Sequence, residues 1–171
     1  VRIRPQVIED ERGFFFESWN ARTFAQCGLE IQFVQDNHSC STAGCLRGLH
    51  YQIEHPQGKL VRAVRGEIFD VAVDLRRSSA TFGQWIGADL SAENHQMLWV
   101  PPGFAHGFYV VSDEAEVLYK CTDIYSPAAE RTLLWDDPDL AIDWPLAPGH
   151  SPKVSPKDAG GALLRNAECF A

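Results

Sequence analysis

An all-β fold, a jelly roll or β-sandwich with a few short helices, is the architecture this sequence predicts, on three observations. Glycine and proline are plentiful, 13 and 10 in a chain of 171 residues. Helix-periodic stretches are scarce, whereas strand-like runs alternate with turn residues from Ile31 onward. The alternation is clearest in Glu67 to Leu75. There Phe69, Val71, Val73 and Leu75 fall on one face, and Ile68, Asp70, Ala72 and Asp74 on the other. At 45% apolar residues the chain can build a sizeable core, and residues 1–171 are expected to form one domain.

The elements follow in order. Asn20 to Cys27 reads as a short helix, with Asn20 as its cap and Gly28 ending it. Strands are expected at Leu46–Ile53, Lys59–Arg65, Glu67–Leu75, Gln96–Val100, Gly107–Val111 and Val117–Ile124. Beyond Ser126 the pattern turns irregular. Asp136-Asp137-Pro138-Asp139 and Asp143-Trp144-Pro145 look like turns, and Ser151 to Gly161 holds two Ser-Pro-Lys turns. So long a tail is expected to pack back on the strands, because Trp135 and Trp144 need burial.

Charge and composition exclude several classes. A net charge of −8 argues against a nonspecific nucleic-acid binder, yet leaves room for a small anionic ligand held by local arginines. The cysteines (Cys27, Cys40, Cys45, Cys121 and Cys169) are odd in number and irregularly spaced, as expected of reduced thiols in a cytoplasmic protein. No signal peptide and no apolar run long enough to span a bilayer is visible.

Among residues able to do chemistry, His50 comes first. In an extended strand it shares a face with Leu46, Gly48 and Gln52, amid Arg47, Tyr51 and Lys59. Strict alternation sends Arg47 to the opposite face, unless Gly48 permits a bulge that re-aims it. His106 follows a Pro-Pro-Gly turn between Phe104 and Phe108. A metal site would need these two histidines and a third ligand, for which Glu67 is the candidate. Structural histidines in a β core explain both equally simply. Tyr119 and Tyr125 share a face of an extended Val117–Tyr125 segment, about 20 Å apart at 3.3 Å per residue. They could reach two ends of an elongated ligand, or be partly buried sheet tyrosines. Arg12, Phe15, Glu17, Gln35 and Asn37 form two polar–aromatic clusters suited to a phosphate or a base edge, or to a solvated edge strand.

Leu46–Gln52 and Pro101–His106 together resemble the two halves of a cupin barrel motif, with one histidine in the first half where metal-binding cupins usually carry two. The wider pattern is more specific. Asp10-Glu11-Arg12-Gly13-Phe14-Phe15, Phe33-Val34-Gln35-Asp36-Asn37-His38-Ser39, Leu46–Gln52 and Gly58-Lys59-Leu60-Val61-Arg62 resemble dTDP-4-dehydrorhamnose 3,5-epimerases. So do Phe69–Asp74, Phe104-Ala105-His106-Gly107-Phe108 and Leu118-Tyr119-Lys120, in order along the chain.

The resemblance implies a cupin-like jelly-roll homodimer that needs no metal or organic cofactor and epimerises a dTDP-4-keto-6-deoxy sugar at C3 and C5. It also implies roles. His50 would be the base, Asp158 its carboxylate partner, Tyr119 the acid and Lys59 the group stabilising the enolate oxygen. His106 and Arg47 would hold the sugar and diphosphate. Arg12, Phe15, Glu17, Gln35, Asn37 and Tyr125 would hold the nucleotide, in the family partly from a neighbouring subunit. An epimerase acting at only C3 or C5 remains open, as do a metal-dependent cupin enzyme and a non-catalytic sugar-nucleotide binder.

Overall fold

The computed structural model describes residues 1–171. Its N-terminal segment holds β1 (Arg2–Ile3), a hairpin of β2 (Ile8–Asp10) and β3 (Gly13–Phe15), and helix α1 (Ala21–Gln26). The barrel strands follow: β4 (Gln35–Thr42), β5 (Leu46–Gln52), β6 (Lys59–Arg65) and β7 (Glu67–Asp74). After them come β8 (Trp85–Ser91), β9 (Met97–Val100), β10 (Phe104–Val110) and β11 (Glu114–Cys121). The tail adds β12 (Glu130–Thr132), helix α2 (Pro156–Ala159) and a 3-10 turn at Leu164–Asn166.

Two five-stranded antiparallel sheets make the barrel, in the orders β1-β9-β6-β11-β4 and β12-β5-β10-β7-β8. Between them lies an apolar core that includes Val61, Ile68, Leu90, Leu98, Phe108 and Val117. The outer face of the second sheet is covered by the tail. Leu133, Leu140 and Trp144 pack on Leu46, Leu49, Tyr51, Val71 and Val73. Each such aliphatic side chain contributes about 1.5–3 kcal/mol on burial, so the tail's tryptophans go where their apolar area requires. Trp144 is buried and Trp135 packs beside the cluster.

β7 shows why the inward face of a strand need not be the apolar one. Its Phe69, Val71 and Val73 point outward under the tail, while Ile68 and Ala72 point into the barrel. The alternation holds, and both faces are buried. The helix also forms as its caps dictate: Asn20 Oδ1 accepts from the backbone N–H of Arg22 at 2.9 Å and of Thr23 at 3.4 Å.

β4 and β8 lie outside the expected strands, and three of the expected ones take a different course. β10 begins at Phe104, three residues earlier than expected, which puts His106 inside the ladder opposite Ala72 and His50. β11 spans Glu114–Cys121 rather than Val117–Ile124, because the chain leaves the sheet at Thr122, whose Oγ1 accepts from Gly58 N at 2.8 Å. In β5, His106 pairs with His50 but Phe108 pairs with Arg47, so Gly48 and Leu49 together oppose Gly107. This bulge flips the N-terminal half of the strand. Leu46 turns outward under the tail instead of sharing a face with His50, and Arg47 turns inward. Gly48 sits at φ +118°, and a Cβ there would lie 2.6 Å from Gly107 Cα, so the two strands approach only because both residues are glycine.

Candidate active site

The polar end of the barrel opens into a cavity of about 340 Å³ lined from both sheets. β5 and β10 contribute Arg47, His50, Gln52 and His106, and the facing sheet contributes Gln35, Asn37, Lys59 and Tyr119. Tyr125, Glu130 and Lys157 close the rim.

His50 Nε2 lies 2.6 Å from Asp158 Oδ1, across 108 residues of sequence. The tail delivers the carboxylate by hydrogen bonding back along β5: Leu46 N donates to Lys153 O at 3.0 Å, and Lys153 N to Gly44 O at 2.7 Å. Local sequence then starts a helix. Ser155 caps it, accepting from Asp158 N at 3.1 Å, and Pro156 occupies its first turn. Burial pushes the Asp158 carboxyl up, but the hydrogen bond and charge of His50, the Gly48 N–H and Ser155 outweigh it and hold the group below its ordinary value.

Lys59 opens β6, opposite Cys121. Burial pushes its ammonium down, against the opposing fields of Cys121, Asp70 and Glu130. Tyr119 stands on β11, where burial pushes the phenol up, so it keeps its proton at neutral pH and can donate it. Arg47 is steadied by Nε donating to Ser41 Oγ at 2.8 Å.

Tyr125 corrects the strand expectation. It lies in the loop after β11, so the extended-strand separation from Tyr119 does not apply, and both rings line one cavity. Two glutamines turn the chain there. Gln52 Nε2 donates to the carbonyls of His55 and Ile124, and its Oε1 accepts from Ser126 N at 2.8 Å. Gln35 Oε1 accepts from Tyr125 N at 2.8 Å. Gln52, where metal-binding cupins usually carry a second histidine, pins a loop.

Glu67 is not brought to the histidines. It starts β7 five residues before Ala72, the partner of His106, a displacement of about 16 Å along an extended strand. Arg12, Phe15 and Glu17 do not reach the cavity of their own chain either. Arg12 pairs with Asp10 on the β2–β3 hairpin, which joins neither large sheet, and Phe15 is exposed. Glu17 accepts from Asn20 Nδ2 at 2.7 Å and Thr23 Oγ1 at 2.9 Å, bracing α1.

Sequence reasoning missed Asp70, Glu130 and Lys157. Asp70 is fully buried, and both its carboxylate oxygens lie within 3.0 Å of His106 Nε2. A lone carboxylate between Ile68 and Ala72 on a strand face was the signal available for it. Glu130 accepts from Lys157 Nζ and from the Tyr125 hydroxyl, each at 3.0 Å, and no local pattern marks that trio.

Two facing antiparallel sheets around one polar cavity define a cupin-like jelly roll. Residues 1–166 match the family model described as dTDP-4-dehydrorhamnose 3,5-epimerase. The chain is 58% identical over 171 residues to the dTDP-4-dehydrorhamnose 3,5-epimerase of Pseudomonas aeruginosa, covering 99% of this chain and 93% of that protein. It belongs to the dTDP-4-dehydrorhamnose 3,5-epimerase family. Among solved structures it is similar to the dTDP-6-deoxy-D-glucose-3,5-epimerase of Legionella pneumophila in complex with dTDP-4-keto-L-rhamnose. That likeness has 53% identity and a TM-score of 0.93, covering 98% of this chain and 88% of that one. A 3'-monoepimerase from Streptomyces bikiniensis in complex with dTDP-quinovose is similar at 34% identity and a TM-score of 0.88, over 96% and 83% of the two chains.

Proposed function

We propose that this protein is a dTDP-4-dehydrorhamnose 3,5-epimerase, an isomerase that inverts C3 and C5 of dTDP-4-dehydro-6-deoxy-glucose. The observation that carries the chemistry is the 2.6 Å His50–Asp158 pair, on a cavity whose opposite sheet carries Tyr119 and Lys59.

The substrate's 4-keto group acidifies the hydrogens on C3 and C5. With Nε2 of His50 donating to Asp158, Nδ1 keeps the lone pair and takes the proton. The electron pair of the broken C–H bond moves onto the C4 oxygen, where the Lys59 ammonium meets the developing charge. Tyr119 returns a proton to the other face of the same carbon, which inverts it. His50 then gives its proton to solvent and Tyr119 takes one back from it, and repetition at the second carbon completes the double epimerisation. Arg47 and His106 hold the sugar and diphosphate, and Gln35, Asn37 and Tyr125 hold the nucleotide.

The placement of Arg12, Phe15 and Glu17 outside their own cavity supports a homodimer in which the hairpin serves the partner's nucleotide site. Residues 1–171 act as one unit, since the tail supplies Asp158. No helix is long and apolar enough to cross a membrane, and a nucleotide-sugar substrate fits a cytoplasmic enzyme.

Turnover in D2O with the dTDP-4-keto sugar tests this function. Deuterium is expected at both C3 and C5. Label at a single carbon would make the protein a mono-epimerase, a reading weakened by the lower identity to the Streptomyces bikiniensis enzyme.

A further inference from the structure

The β2–β3 hairpin joins neither large sheet, and no hydrogen bond ties Ile8–Phe16 to the rest of the chain. What fixes it is a stack of rings. The centroids of Phe14 and His95 lie 4.5 Å apart, those of Phe16 and His95 5.1 Å, and those of Phe14 and Phe16 5.9 Å. The Arg62 guanidinium, from β6, lies 5.7 Å over the Phe16 ring. Phe14 and Phe16 therefore share one side of the strand, and alternation puts Phe15 on the other. One side is held by the body of its own chain, and the other carries Phe15 outward at 70% exposure.

His95 stands in the turn between β8 and β9 at φ +54°, a left-handed conformation that costs any residue with a Cβ. The turn itself is closed without the imidazole. Asn94 Oδ1 accepts from Ser91 N at 3.2 Å and from Gln96 N at 2.8 Å, and Asn94 N donates to Ser91 Oγ at 3.0 Å. The turn thus holds His95 rigidly in a conformation that presents its ring to Phe14 and Phe16. The aromatic contacts attract through both apolar area and ring quadrupoles, so they set an angle as well as a distance.

We propose that His95 is a positioning residue for nucleotide binding: its ring, packed on Phe14 and Phe16, sets the direction in which the hairpin leaves its own chain and so aims Arg12 and Phe15 at the partner's nucleotide site. This rests on the reading above in which the hairpin serves the partner. His95 touches neither nucleotide nor sugar in this scheme and acts through the hairpin.

Affinity for dTDP by titration calorimetry, with KM and kcat from deuterium incorporation into the dTDP-4-keto sugar, tests the role. His95→Asn keeps a residue suited to the left-handed backbone and removes the ring. Affinity for dTDP and KM are expected to weaken about 3- to 10-fold, the weight of one or two ring contacts, with kcat within about twofold. If His95→Asn does not fold, His95→Gly, which accepts this backbone freely, replaces it with the same expectations. Co-expressing His95→Asn with an excess of His50→Ala chains gives dimers whose working base meets an intact hairpin from the other chain, so KM is expected to return to the wild-type value. KM that stays raised in these mixtures, or that does not rise in His95→Asn alone, would overturn the inference. Arg12→Ala under the same excess separates the two readings. Activity that does not recover there sinks the exchanged hairpin and this role with it, whereas recovery beside an unchanged KM for His95→Asn sinks only the role of His95. A wild type that exchanges no substrate proton sinks the epimerase function, and dTDP affinity then decides the role of His95.

Discussion

Replacing Asp158 by Asn removes a charge from the His50 pair while keeping the side chain's shape. The 2.6 Å contact is short, largely sheltered from solvent and made by an ionised acceptor. A hydrogen bond to a charged group is worth about 1.5–3 kcal/mol, which corresponds to a loss of about 10- to 150-fold in kcat. The amide can also donate to Nε2, which would leave the proton on Nδ1 and no lone pair for the substrate. Since Asp158 lies behind His50 rather than on the cavity wall, the loss is expected in kcat, with KM within about twofold. The fold should survive, because the Ser155 cap is made to Asp158's backbone N–H. Deuterium incorporation at C3 and C5, followed by NMR, measures the rate. Wild-type kcat, or a loss confined to KM, would refute the assignment of Asp158 as the partner of the base. The same variant carries a stability signature. Asp158 is held below its ordinary value, so its contribution is present above the unfolded carboxylate value near about 3.9 and lost as pH falls through the lower folded value. The gap in Tm between wild type and Asp158→Asn should be full at neutral pH and close below about pH 4.

Further expectations concern the acid, the bulge, the metal question and the dimer. Tyr119→Phe should lower kcat by about 10²- to 10⁴-fold; a loss under tenfold, about 1.4 kcal/mol, would remove Tyr119 from the role of proton donor. Gly107→Ala places a Cβ 2.6 Å from Arg47 O and 3.1 Å from Gly48 Cα. The backbone must shift, at a cost of about 1–3 kcal/mol, and thermal melting should show Tm lower by about 2–4 °C per kcal/mol; an unchanged Tm contradicts the close approach. Exhaustive chelation with EDTA should leave activity intact, and a loss that iron or zinc restores would count against the cofactor-free mechanism. Mixing Arg12→Ala with His50→Ala chains should restore activity that neither has alone, and mixtures that stay inactive would argue against a hairpin serving its partner's site.

Much of the barrel was legible because it depends on local periodicity. The alternation of Phe69, Val71 and Val73 against Ile68 and Ala72 is a property of extended backbone, as the Asn20 cap is of a helix start. The strand at Lys59–Arg65 was read with its observed bounds. His50, Lys59, His106 and Tyr119 were likewise singled out from motifs, and all four line one cavity.

What periodicity could not supply is anything depending on where two distant segments meet. Arg47 joins His50 because Gly48 and Gly107 lack side chains at a crossing of β5 and β10, which makes room for a bulge no single strand encodes. Tyr125 reaches the rim because Gln52 and Gln35, from other strands, hold the chain as it leaves β11. Asp158 came only as what the family resemblance implies, and its bond to His50 exists only because the tail folds back along β5. Asp70 became a partner of His106 only when β7 and β10 were paired. The sequence by itself determined most of the residues that extend or turn, since these follow from each residue's own backbone and side chain, and its family motifs marked His50, Lys59, His106 and Tyr119. Only the tertiary structure decided which charges share a cavity, because a buried charge is held by partners the chain brings from far away.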